Sequence, residues 1–141
     1  MIPVIARDGP MPRVPRESAL TRWFWQQLGE GEWQTSRCRA CGRVSFPPRR
    51  DCPDCWGGDM EWAALAAGGR LYARTVIRAV PMPFLDHAPL DVGVVDLDDG
   101  VRLLCWLIDG AGALPLDTTV TMVALRFADG TLFAARPAAV A

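Results

Sequence analysis

The chain has 141 residues, 50% of them hydrophobic, and a formal net charge of −1 at pH 7. That length suits one compact domain, or a small metal-held module beside a domain of about 75 residues. Near-neutrality argues against a general nucleic-acid binder, which needs a basic surface, and because all 15 basic residues are arginine the chain excludes Schiff-base chemistry, a lysine general base and a phosphate-loop lysine.

The first fifteen residues carry Pro3, Pro10, Pro12 and Pro15 without periodicity. They read as an extended arm, ordered only against something else. Arg7, Arg13 and Arg16 stand among these prolines and no apolar signal core is present, which predicts a cytoplasmic protein. No run of about 18 apolar residues marks a membrane span. From Glu17 to Leu28 apolar residues recur at three- and four-residue spacing, which predicts an amphipathic helix ended near Gly29 and Gly31. Leu20, Trp23, Phe24, Trp25 and Leu28 are more than one helix face can bury. They either pad the next module's core or dock a partner.

Glu32 to Ser36 and Val44 to Phe46 read as short strands around Cys38-Arg39-Ala40-Cys41. Pro47 and Pro48 then lead to Cys52-Pro53-Asp54-Cys55. Two Cys-x-x-Cys pairs joined by a short connector place two thiolates on each of two tight turns, so four sulfurs can form a tetrahedron. Cys38, Cys41, Cys52 and Cys55 are therefore predicted to hold a structural zinc. Iron fits four thiolates as well, and two disulfides are the remaining option, disfavoured by the regular spacing. Such a site shapes the fold and leaves no position for a catalytic water. Trp56 and Trp62 are expected to pack on this module or at its junction with the next one.

From Gly68 onward the texture is all-β. Arg70–Ala79 alternates, with Leu71, Ala73, Thr75 and Ile77 on one face. A proline-rich loop comes next, from Pro81 to Pro89. Strands are expected over Asp91–Leu97, Val101–Ile108, Thr119–Phe127 and Thr131–Ala135, with hairpin turns at Asp98-Asp99-Gly100 and Asp129-Gly130. Val101–Ile108 is apolar on both faces except at Arg102, so it should be central or covered. Five short antiparallel strands in about 70 residues suit a Greek-key barrel of the OB type, with a five-stranded sandwich fragment as competitor. The fold class is thus mainly β: an N-terminal helical arm, a four-cysteine zinc ribbon and a C-terminal five-stranded OB-type barrel. The expected division is 1–29 (arm and helix), 30–62 (ribbon) and 63–141 (barrel).

The catalytic inventory is thin. The single histidine, His87, lies in the proline-rich loop with no nucleophile in evident relation to it, and Cys105 sits mid-strand as a small hydrophobe. Asp98 and Asp99 are explained by their turn. Arg37, Arg39, Arg43, Arg49 and Arg50 crowd the ribbon, offset only in part by Asp51 and Asp54. They can form a solvated surface, a salt-bridged interface or a phosphate-binding patch.

The order of features is specific. A tryptophan-bearing helix leads to Gly29-Glu30-Gly31-Glu32, then Arg37-Cys38-Arg39-Ala40-Cys41-Gly42. Phe46-Pro47-Pro48-Arg49 precedes Cys52-Pro53-Asp54-Cys55, and Gly68-Gly69-Arg70-Leu71-Tyr72 opens the barrel. From about residue 17 to 137 the chain resembles a family of zinc-ribbon OB-fold proteins, long classed as a domain of unknown function, whose members accompany thiolase-superfamily enzymes and acyl-CoA hydratases. The resemblance implies a rubredoxin-like ribbon behind a helical arm, with the four cysteines as metal ligands. It also implies an accessory subunit without catalytic residues of its own. Such a subunit would bind a thiolase-like, aldolase-like or hydratase-like partner and help hold or channel a CoA thioester (acyl-CoA). Arg43, Arg49 and Phe84 are the candidate CoA contacts. The competing reading, from the ribbon, barrel and arginine cluster, is a nucleic-acid-binding module.

Overall fold

A computed structural model of the chain describes residues 1–139. Three parts succeed one another. The arm carries a short strand, β1 (Val4–Ala6), and leads to helix α1 (Ala19–Gly29). The ribbon sheet is built from β2 (Gln34–Cys38), β3 (Val44–Ser45) and β4 (Met60–Ala64), in the order β3-β2-β4. The barrel comprises β5 (Gly68–Ile77), β6 (Leu90–Leu97), β7 (Arg102–Leu107), β8 (Thr119–Phe127) and β9 (Gly130–Pro137).

Barrel closure results from the pairings. β5, β6 and β7 form an antiparallel meander, and β8 pairs antiparallel with both β5 and β9. The ring closes through a parallel contact of β7 with β9, at Trp106↔Ala134 and Leu107↔Ala135. This is a closed five-stranded OB-type barrel. Leu71, Val95, Leu103, Leu107, Val120 and Met122 fill its interior.

Several expectations are corrected. The arm is ordered against its own barrel. β1 runs parallel to β8, with Val4↔Ala124 and Ala6↔Arg126. Gly9 and Pro3 carbonyls accept from the backbone of Ala128 and Ala124, Met11 N–H donates to Asp129 Oδ1 at 2.8 Å, and Ile2 and Met11 are buried. β5 does not keep one face inward along its length. A bulge between Leu71 and Ala73 turns Tyr72 outward, and Thr75 and Ile77 are exposed. Its extra residue puts the Tyr72 ring under the Arg102 guanidinium, 3.8 Å away. β7 is not covered on both faces, since Leu104 is 65% exposed. β4 was not anticipated; it pairs with β2 over the full register from Gln34↔Ala64 to Cys38↔Met60.

The helix begins at a capping box. Thr21 N–H donates to the Ser18 hydroxyl, and Ser18 N–H to the Thr21 hydroxyl. Only Phe24 and Leu28 are fully buried, while Trp25 is half-buried and Trp23 faces solvent. Phe24 sits in an aromatic cluster drawn from all three parts: Trp25 of the helix, Trp33 and Phe46 of the ribbon, and Phe133 of β9, with centroids 5.0–6.3 Å from its own. Trp33 Nε1–H donates to the Ala66 carbonyl at 3.0 Å, and Ala66 N–H donates to Asp99 Oδ2 at 2.7 Å. The Asp98-Asp99-Gly100 turn thus anchors the ribbon-to-barrel link. Among the described residues no helix is long and apolar enough to cross a membrane.

Candidate metal centre and its surroundings

Both cysteine pairs form the same backbone turn. β2 delivers Cys38, whose N–H donates to the Arg43 carbonyl at 2.9 Å. Gly42 N–H then donates back to the Cys38 carbonyl at 2.8 Å. In the second turn Cys52 N–H donates to the Gly57 carbonyl at 2.9 Å, and Trp56 N–H to the Cys52 carbonyl at 3.0 Å. The residue after each second cysteine has positive φ: +79° at Gly42 and +62° at Trp56.

These turns face each other. The four sulfurs all lie within 4.8 Å of one another. Cys38 and Cys55 are 3.5 Å apart, as are Cys41 and Cys52. Sulfurs at about 2.3 Å from a tetrahedral zinc stand about 3.8 Å apart, so the donor set fits the ion. All four are free thiols, which removes the disulfide option. Cys38 and Cys52 are buried, Cys41 and Cys55 exposed. Backbone N–H groups, Cys55 first and then Asp54, lower the Cys52 pKa to about 7 against the opposing effect of burial. Amides aimed at sulfur in this way favour thiolate, the form that ligates metal.

The arginine cluster is more compensated than its sequence indicates. β4 places Glu61 directly opposite Arg37. Glu61 accepts from Arg37 at 2.5 Å and from Arg39 at 3.0 Å, and Asp59 adds a contact to Arg39 at 3.3 Å. Arg43 holds both Asp54 oxygens at 3.0 Å. Arg49 and Arg50 alone among the five have no ion-pair partner within the described residues. The patch on which nucleic-acid binding rested is therefore reduced to two side chains. Trp62 is half-buried against the core, as expected, but Trp56 is 82% exposed.

No cleft unites the candidate CoA contacts. Arg43 lines a cleft with Gly100 and Arg102, at the ribbon–barrel junction. Arg49 lines another with Arg50, Leu20 and Trp56. Phe84 packs edge-on to Trp106, 6.4 Å between centroids, in a 3-10 turn, Met82–His87. His87 lies between Trp106 and Phe127, at 5.5 and 6.2 Å, beside a cleft of about 250 Å³ that also takes in Arg7, Asp8 and Asp91 but neither Ser, Thr nor Cys. Cys105 is buried, and burial pushes its pKa up to about 12. It is a protonated packing residue.

The comparisons with known proteins agree with this geometry. Residues 25–61 match the ChsH2 rubredoxin-like zinc ribbon domain, and residues 62–125 match the ChsH2 C-terminal OB-fold domain. The chain is similar to a DUF35 domain-containing scaffold protein of Methanocaldococcus jannaschii, 32% identical over 74 residues that are 52% of each chain. It is also similar to the benzoylsuccinyl-CoA thiolase subunit BbsA of Thauera aromatica, 30% identical over 90 residues, 61% of this chain and 58% of that one. The chain thus spans little more than half the length of the curated relatives it matches. Among solved structures, a chain of the Ltp2-ChsH2(DUF35) aldolase superposes with a TM-score of 0.79 at 25% identity, covering 89% of this chain and 100% of that one. A DUF35-family protein of unknown function from Sulfolobus solfataricus shares the fold, with a TM-score of 0.59 at 15% identity over 85% and 86% of the two chains.

Proposed function

The chain belongs to the family that joins a ChsH2 rubredoxin-like zinc ribbon to a ChsH2 C-terminal OB fold, and on that premise we propose that it is an accessory subunit of a CoA-related enzyme of the thiolase or aldolase type. One observation carries the reading: likeness to the Ltp2-ChsH2 aldolase chain runs through 89% of this one, helix, ribbon and barrel together. The BbsA thiolase subunit and the DUF35 scaffold protein support the same class of role.

In this reading the chain supplies shape. Cys38, Cys41, Cys52 and Cys55 hold one zinc ion, and four protein ligands leave no position open for water, so the ion fixes the two turns and takes no part in turnover. The paired Arg37–Glu61 and Arg43–Asp54 contacts stiffen the ribbon around it. The aromatic cluster locks helix, ribbon and barrel into one body to be presented to the partner. The bound CoA thioester is a ligand of the assembled complex, held where the subunits meet, with Arg43, Arg49 and Phe84 as contacts to be tested singly.

Co-expression with the thiolase- or aldolase-type subunits of its own organism tests this. The expected result is a stable hetero-oligomer in sizing chromatography. A chain that elutes as a monomer beside every such subunit, with and without acyl-CoA, overturns the reading.

A further inference from the structure

The two metal turns are alike in backbone and unlike in one side chain. Gly42 and Trp56 occupy equivalent places, each after the second cysteine, each donating its N–H back to the first, each at positive φ. Glycine adopts that conformation freely. A bulky L-residue does not, and it persists there only where something compensates. The Trp56 side chain finds nothing of the kind within this chain, being 82% exposed. Strained backbone and a solvated indole are both unfavourable for the isolated protein, so the compensation must come from outside it.

The surroundings of Trp56 identify the occupant. A cleft of about 420 Å³ between the second cysteine turn and the start of α1 is walled by Leu20, Pro48, Pro53, Arg49, Arg50 and Trp56. Trp23, one turn beyond Leu20 on the same helix, is 45% exposed and extends the surface. Arg49 and Arg50 are the two ribbon arginines without an ion-pair partner among the described residues. Asp51, in the same wall, lies instead over Gly58, its Oδ1 3.4 Å from where a Gly58 side chain would begin. Tryptophan and arginine around an apolar centre are the residues that dominate protein–protein binding energy.

We propose that Trp56, with Leu20, Arg49 and Arg50, is the anchor by which this chain docks a protein subunit presenting an apolar pocket rimmed by carboxylates. The inference rests on the accessory-subunit reading and specifies its contact surface. The pocket takes the indole, and the carboxylates pair with the two guanidiniums.

Two variants of the full zinc-loaded chain test it, Trp56→Gly and the double reversal Arg49→Glu/Arg50→Glu, titrated against the thiolase- or aldolase-type subunit of its own organism that forms the wild-type complex. Trp56→Gly is expected to keep its zinc, to melt at or above the wild-type temperature, and to bind at least tenfold more weakly. The arginine reversal is expected to weaken binding at least tenfold, with the wild-type affinity falling as salt rises. Hydroxyl-radical footprinting should show Trp56 oxidised in the free chain and protected in the complex. A wild-type complex that both variants form within twofold overturns this surface and leaves the accessory reading standing. Failure of the wild type to bind any such subunit overturns both. Trp56→Gly melting well below wild type overturns the inference, because the indole then serves the chain's own fold. So does a pair of variants that keep the subunit but lose CoA or single-stranded DNA, because the surface is then a ligand site.

Discussion

Trp25 of the helix stacks on Phe133 of the barrel, the ring centroids 6.1 Å apart and the planes 15° from parallel. Phe24, its neighbour in sequence, meets the same Phe133 edge-on, at 6.3 Å and 76°. Two consecutive helix residues thus grip one barrel residue in the two favoured aromatic geometries. The helix is therefore part of the barrel's packing.

Phe24 and Trp23 should then separate cleanly. Phe24→Ala is expected to destabilise the whole chain by about 3–5 kcal/mol, the usual loss for a buried phenylalanine. Trp23→Ala should stay within about 1 kcal/mol of wild type, because its side chain is 45% exposed. Urea unfolding followed by circular dichroism measures both, and equal losses would contradict the packing.

Gly93 lies in β6 where a side chain has no room. A Cβ there would stand 2.8 Å from both the Ala73 carbonyl and Leu107 Cδ1, and 3.0 Å from Leu71 Cδ1. Gly93→Ala should cost about 1–3 kcal/mol by overpacking. The melting temperature reads this directly; an unchanged value would mean that the β5–β6 spacing is looser than these contacts require.

For the metal, Cys52→Ser should abolish binding, since a buried hydroxyl is a poor substitute for a thiolate. Elemental analysis should find one zinc per wild-type chain and none in the variant. Chelation should unfold residues 30–62 before the barrel, visible as early hydrogen exchange in β2 and β4. Simultaneous loss of barrel protection would count against that order.

Acid should act on the ribbon through Glu61. Its carboxyl is held below the usual range by hydrogen bonds from Arg37 first and then Arg39. A depressed folded pKa contributes stability above the unfolded value of about 4.3, and the contribution is lost as pH falls through the lower folded value. Glu61→Gln should therefore lower the melting temperature slightly near pH 7, because exposed pairs are weak, and the difference should close by about pH 3. A gap of constant size across that range would assign the effect to packing.

The metal turns were legible because ligand chemistry fixes residue type and spacing together. The Asp98-Asp99-Gly100 turn was legible because Gly100 sits at φ +88°, where few other residues go. What escaped depends on distant pairing. Met60–Ala64 has no alternating pattern, and only its register against β2 makes it a strand. The compensation of Arg37 and Arg39 by Glu61 comes from the same register. Phe24 and Trp23 are adjacent and both aromatic, and only Phe133, over a hundred residues away, determines which is buried. Tyr72 broke its strand's alternation because one extra residue shifts every later side chain to the other face.

The β1 strand has a practical side. It covers the rim of β8 at Ala124, Leu125 and Arg126, the stretch beyond β5's pairing at Thr119–Thr121. Trimming the first eight residues would bare those amides and carbonyls and leave a vacancy shaped for a single parallel strand. A second molecule's own leading segment is the readiest thing to fill it, so shortened versions would be prone to trade their first residues and chain into assemblies.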